Sequence, residues 1–331
     1  MEHPEIKQPH DLLFRRFMIA PELLADLLQN YLENLADQQM VGLLDLSRLK
    51  CENPVMVSDL LVEFRGDVRF STSFKGSKRK SNVFVLLEHQ STKDLDFQLR
   101  GLEYIVQKYK EFRENTKGRE KFPFPLVVIL YHGATPWTHV PKMDELIESV
   151  PGMPTGLLSY PLILIDISEL RPEQFKGHPV LQVLLELLQL ASKNRLVAEF
   201  ERVIERLKSV RKDPRIKYWL KSISRYVIAV AKIGKEQVAK AFSAIVNKKE
   251  AYEMVMTTAE ELLVMGEAQG IVKGEIIAWR KAVLLALRTK FGSVPKGIEK
   301  AILSKNDPIV LESLAVRVDQ CSSLKEFAEG L

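Results

Sequence analysis

The sequence predicts an α/β protein, a mixed β-sheet flanked by helices and followed by an all-helical C-terminal region. Three observations lead there. Short β-rich runs with strand-like alternation recur between Val55 and Ile167, composition turns to helical periodicity from Pro179 onward, and 46% hydrophobic residues over 331 positions can fill more than one core. The composition shifts divide the chain into a sheet-bearing domain over 1–178, a helical extension over 179–265 and a small helical module over 266–331.

In chain order, Asp11 is placed to cap a helix that runs through Leu12, Phe17, Leu23, Leu27 and Leu32. Residues 44–49 form a short connector, and 55–64 read as a first strand. A β-hairpin follows: Val68 and Phe70 alternate with polar neighbours, a basic loop over 75–80 turns the chain, and 82–87 supply a second β-rich run. Ser91-Thr92-Lys93-Asp94 has the form of a capping box, opening a helix with Phe97, Leu102, Ile105 and Tyr109 as apolar positions. Residues 124–131 are continuously apolar and read as a central strand, with another over 161–167. Farther on, Gly266, Gly270 and Gly274 break a helical stretch. The tail carries an apolar stripe of Ile277, Val283, Leu284, Leu287 and Phe291 before Gly292 stops the helix.

Lys and Arg number 48 against 43 Asp and Glu, a formal +5 that permits a polyanionic partner such as DNA. The basic run over 206–217 reads either as a phosphate-neutralising face or as solvated helix surface. Only Cys51 and Cys321 are present, which excludes a disulfide framework and cysteine-based zinc knuckles and fits a reducing compartment. No basic leader precedes an apolar run, and no window approaches the ~20 apolar residues that span a bilayer. The expectation is a cytoplasmic protein that does not engage membranes.

The chemistry concentrates at the end of the second hairpin strand. Alternation sends Glu88 and Gln90 to one side and Val83, Val85, Leu87 and His89 to the other. Asp67, on the neighbouring strand, can face the same point as Glu88, and two adjacent acids repel unless a cation lies between them. Oxygen donors select a hard cation, Mg²⁺ or Mn²⁺, with Ca²⁺ left open. Asp59 is the rival acid. Arg69 shares the face of Asp67 and is either its salt-bridge partner or a bidentate phosphate contact. His10 reads as a turn histidine beside a cap, and His132 and His139 as structural histidines.

Four motifs occur in order: Pro9-His10-Asp11-Leu12-Leu13-Phe14, then Leu86-Leu87-Glu88-His89-Gln90-Ser91-Thr92, then the spacing of Arg100 and Tyr104, then Leu130-Tyr131-His132-Gly133. Together they resemble the recombination-promoting nuclease family, whose members also carry the label YhgA-like transposase, within the PD-(D/E)XK, restriction-endonuclease-like superfamily. The resemblance implies that the domain over 1–178 is a metal-dependent DNA endonuclease promoting recombination or mobile-element activity. Asp67 and Glu88 would ligate Mg²⁺, with the His89 backbone carbonyl as a further ligand, and Gln90 would orient the attacking water where the wider superfamily has lysine. Arg69, Lys78, Arg79, Lys80, Arg100 and Tyr104 would contact DNA or support the site. Gly66 in place of the signature proline, Arg69 and Gln90 keep a second expectation open, a DNA-binding or interaction protein whose nuclease fold has lost catalysis. A third is a DDE transposase using Asp67, Asp166 and Glu201. Homo-oligomerisation through the C-terminal stripes stays open beside a plain helical core.

Overall fold

A computed structural model describes residues 9–52, 68–79, 81–116, 120–148, 152, 154, 156, 158–231 and 233–331. Ile6–Thr258 form one compact unit, and Ala259–Leu331 belong to another. The expected division at residue 178 thus falls inside the first unit. Its reason is the N-terminal helix, which packs against two helices from the 179–258 segment and ties that segment to the sheet-bearing part.

That N-terminal stretch is two helices, α1 (Pro9–Met18) and α2 (Pro21–Asn30), where one was expected. Pro21 has no N–H to continue the ladder, and its fixed φ suits the first position of a new helix. Asp11 lies in the first turn of α1, not at a cap, and its carboxylate pairs with Arg15 at 3.3 Å. Then come α3 (Leu35–Gly42), β1 (Lys50–Cys51), β2 (Val68–Thr72), β3 (Val83–Gln90), α4 (Phe97–Asn115), β4 (Phe124–Tyr131), α5 (Met143–Leu146) and β5 (Leu162–Asp166). The strand expected over 55–64, with Asp59, lies outside the described residues, as do Gly66, Asp67 and Lys80.

The five strands form one sheet in the order β1-β2-β3-β4-β5. β2 pairs antiparallel with both β1 and β3, and β3, β4 and β5 run parallel, so the sheet is mixed. The hairpin is present, pairing Val68 with Leu87 and Thr72 with Val83. β4 is flanked on both sides, which accounts for its unbroken apolar run. On one face, Phe84 and Leu86 of β3 join Val127, Ile129 and Tyr131 of β4 beneath Phe97 and Ile105 of α4, with Trp137 closing the cluster. The capping box expected at Ser91 does not start α4; Asp96 stands at its N-cap, and the Asp94 side chain accepts from the Asp96 amide. On the other face, Phe14 of α1 meets the His89 ring.

The helical part of this unit comprises α6 (Pro179–Ser192), α7 (Leu196–Glu205), α8 (Ile216–Val230) and α9 (Lys235–Phe242). α6 starts with His178 accepting from the Val180 amide and Pro179 in the first turn, and buries nearly its whole length. The basic run over 206–217 is largely neutralised. Arg206 pairs with buried Glu186, Lys208 with Glu205, Arg215 with Glu22 and Asp213, and Lys217 with Glu250.

The next helix, α10 (Lys248–Phe291), runs 44 residues straight through Gly266, Gly270 and Gly274. Their φ values are not positive, and a helical glycine costs only about 1 kcal/mol against alanine, too little to end a helix flanked by good formers. Gly292 does end it, at φ +81°. With α11 (Lys296–Ser304), α12 (Pro308–Gln320) and α13 (Leu324–Ala328), the end of α10 encloses Val283, Leu287, Ile302, Leu311, Leu314, Val318 and Phe327. Ile276 packs on this core and Ile277, expected in the stripe, is exposed, since one residue turns the helix by about 100°. Cys51 and Cys321 are free thiols, both buried. Among the described residues no helix is long and apolar enough to cross a membrane.

Candidate active site

β3 is buried from Val83 to Leu87 and emerges only at Glu88, His89 and Gln90, beside the end of parallel β4. Ligand sites in α/β sheets favour the carboxyl ends of parallel strands, where the loops open. The alternation expected from sequence holds. Glu88 and Gln90 continue the face of Phe84 and Leu86 under α4, while His89 points to the α1 side.

On the α4 face, a single oxygen organises the site. Glu88 Oε1 accepts from Gln90 Nε2 at 2.9 Å and from Arg100 Nη2 at 2.9 Å. Arg100 reaches across from α4 and also pairs through Nη1 with Asp94 at 2.7 Å. Its guanidinium lies 4.8 Å from the centroid of the buried Phe97 ring. Tyr160 completes the surround, donating to the Gln98 carbonyl at 3.0 Å. Burial first, and the Glu88 charge second, push its hydroxyl pKa well up, with Arg100 opposing, so it stays a proton donor. Gly101 permits this: a Cβ there would lie 2.0 Å from the Tyr160 hydroxyl.

Other predicted residues lie apart from this oxygen. Arg69 shares the α4 face but pairs with Glu111 of α4 at 3.4 Å, a partner that neither sequence reading named. Tyr104 is half-buried against the sheet core. Lys78 and Arg79 are exposed on the hairpin turn, with Arg79 bound to Glu120 at 3.0 Å. Asp166 takes the Trp137 and Ser168 amides, each at 2.7 Å, and Glu201 pairs with Lys240 at 3.2 Å. Both members of the DDE triad within the described residues are thus occupied in separate structural contacts.

Sequence reasoning missed two things. Asp94, read as part of a cap, is an Arg100 partner. And His10, His89 and His132, read singly, converge on the α1 side. His89 Nδ1 and His132 Nε2 stand 3.3 Å apart, His132 Nδ1 meets Ser192 Oγ at 3.0 Å, and His10 Nδ1 meets the Tyr226 hydroxyl at 2.8 Å. His89 Nε2 faces Asp11 at 3.4 Å. Burial, then the charge of His89, lowers the His10 pKa; burial, then His89 and His10, hold His132 well below the usual imidazole value. The separations in sequence, 43 residues between His89 and His132 and 216 between His10 and Tyr226, left no local signal.

Among the described residues no group of three His, Cys, Asp or Glu side chains converges as a metal site. The donors present near Glu88 are nonetheless of the right kind for Mg²⁺ or Mn²⁺: a carboxylate of which 13% is exposed, and a strand carbonyl. Because the Gln90 carbonyl bonds the His132 amide on the β4 side, the His89 carbonyl, one residue earlier, points toward the β2 side. Asp67, which precedes β2, lies outside the described residues.

A mixed, five-stranded sheet with a polar strand end defines the class as an α/β protein with a candidate oxyanion or cation site. More particularly, residues 8–216 match the family described as "Putative transposase, YhgA-like", more than half of the chain, and the chain belongs to that family. It is similar to the recombination-promoting nuclease RpnD of Escherichia coli O157:H7, 28% identical over 186 residues, covering 55% of this chain and 66% of RpnD. It is also similar to two proteins of Escherichia coli K12. The inactive recombination-promoting nuclease-like protein RpnE is 26% identical, covering 57% of this chain and 60% of RpnE; recombination-promoting nuclease RpnC is 26% identical, covering 55% and 57%. The chain spans less than two thirds of the length of each of these relatives. No solved structure matches.

Proposed function

We propose that this protein is a metal-dependent DNA endonuclease with its site at the end of β3. The observation that carries the proposal is the convergence of Gln90 and Arg100 on one oxygen of Glu88, in a chain whose relatives include named recombination-promoting nucleases. Glu88, Asp67 and the His89 carbonyl would hold Mg²⁺ or Mn²⁺, which supplies a lowered water pKa and a counter-charge for the developing oxyanion. Gln90, fixed beside Glu88, presents an amide that can orient water but brings no charge of its own. Arg100 offers a fork suited to phosphate oxygens, with Tyr104 packed against the sheet core, and Arg69, Lys78, Arg79 and Lys80 would contact the DNA backbone.

A second reading, a DNA-binding protein without cleavage, is favoured by the relative named inactive and by the absence of lysine at Gln90. Nicking of supercoiled plasmid at low salt separates the two. Wild type should nick with Mg²⁺ or Mn²⁺ and not with EDTA, and Asp67→Ala and Glu88→Ala should both abolish it. A gel shift without nicking in any metal gives the second reading the lead. Nicking that survives both substitutions removes the site.

A further inference from the structure

Arg100 lies between two unequal carboxylates. It grips Glu88, 13% exposed, with Nη2 and Asp94, 26% exposed, with Nη1. Different nitrogens serve the two acids, so either bond can open while the other holds. The guanidinium is not saturated, since its buried Nε makes no hydrogen bond. If the Glu88 bond opens, the head is still fixed by Asp94 and by the Phe97 ring beneath it. Asp94 is itself braced, one oxygen taking the Asp96 amide at 3.0 Å.

A largely buried carboxylate needs a counter-charge, and Arg100 supplies it here. Two cations on one carboxylate edge repel strongly at separations of about 4 Å, so a divalent ion at Glu88 must compete with the guanidinium. We propose that Arg100 is a placeholder for the divalent cation on Glu88, and that Asp94 is the positioning residue that retains its guanidinium when the cation binds. The inference rests on the metal site named above. Asp94 thereby serves two ends: it lowers the cost of freeing Glu88, and it keeps Arg100 at the site, where a phosphate oxygen can take the released Nη2.

The test is calorimetric titration of Mn²⁺ into the full chain without DNA, with melting curves confirming that each variant folds. Arg100→Gln removes the competitor and should tighten Mn²⁺ about tenfold, whereas Asp94→Asn leaves the guanidinium on Glu88 alone and should weaken it about tenfold. In the double variant the Asp94 effect should vanish, and Asp94→Glu should restore near-wild-type affinity. Should Arg100→Gln not fold, Arg100→Met keeps the packing on Phe97 and gives the same readout. If Arg100→Gln and Asp94→Asn both weaken Mn²⁺, or their effects add in the double variant, the two residues are merely structural and the proposal is overturned. Wild-type heat that Glu88→Gln does not remove would instead sink the metal site itself, and this inference with it.

Discussion

Glu88 and His89 are neighbours in β3, yet the two faces on which they stand solve the strand's polar end in opposite ways. Under α4 the solution is ionic: a carboxylate, a guanidinium and a second carboxylate in direct contact, with Gln90 alongside. Under α1 it is a cluster of imidazoles, two of which burial disfavours in the charged form, closed by the Ser192 and Tyr226 hydroxyls and by Asp11 facing His89. The ionic face can exchange partners, since a charge released by one ligand can be taken by another. The α1 face has less of that freedom, because a proton added to His10 or His132 is a charge buried beside His89. On the nuclease reading, chemistry belongs to the first face and cohesion to the second.

The largest effect should separate them. On the nuclease reading, Glu88→Ala should cut metal-dependent nicking by about a thousandfold while shifting the melting temperature little. His132→Ala, at a fully buried position, should cost about 3 kcal/mol in denaturant unfolding yet leave nicking per folded molecule within a few-fold. The reverse pattern would break the division of labour.

A smaller effect follows from pH. The pKa values of His10 and His132 are lowered in the folded state from 6.5, so below about pH 6.5 the unfolded chain binds protons that the native one refuses. Their contribution is therefore fully present above that pH and is lost as pH falls through the window beneath it, by up to about 1.4 kcal/mol per pH unit for each imidazole. Melting temperatures from pH 7.5 down to 5 should show the loss, and His132→Gln should flatten it; an unchanged slope would place the acid sensitivity elsewhere.

The smallest belongs to the rim of the ionic face. Arg69 and Glu111, whose side chains are 39% and 37% exposed, should yield no more than about 0.5 kcal/mol when Glu111→Gln separates them. A larger value in a urea melt would extend the ionic network beyond Arg100.

Much of the sheet was legible in the sequence because strand signals are local. Val68 and Phe70 alternate, residues 124–131 are apolar throughout, and Glu88 and Gln90 share a parity that no tertiary contact can change. The helices were less so. A helix tolerates glycine at a cost that its flanks outweigh, so Gly266, Gly270 and Gly274 misled, while Pro21 broke a helix whose apolar spacing looked continuous. At the strand end, Glu88 and Gln90 were readable as neighbours from parity, whereas Arg100 came from the family resemblance and its bond to Glu88 carried no local signal. The histidine cluster was not readable, because its members arrive from α1, β3 and the end of β4, and only folding brings them together. Arg69 shows the intermediate case: its face followed from parity, and its partner from a helix that begins 28 residues later.

The fit of Tyr160 over Gly101 also sets a mechanical tolerance. With a Cβ position only 2.0 Å from the phenol oxygen, helix α4 has no clearance for even one methyl group next to Arg100. Any side chain at position 101 would force either the Tyr160 ring or the first turns of α4 to give way. The seat of the Tyr160 phenol on α4, one residue from Arg100, is therefore gauged by the thickness of a missing side chain.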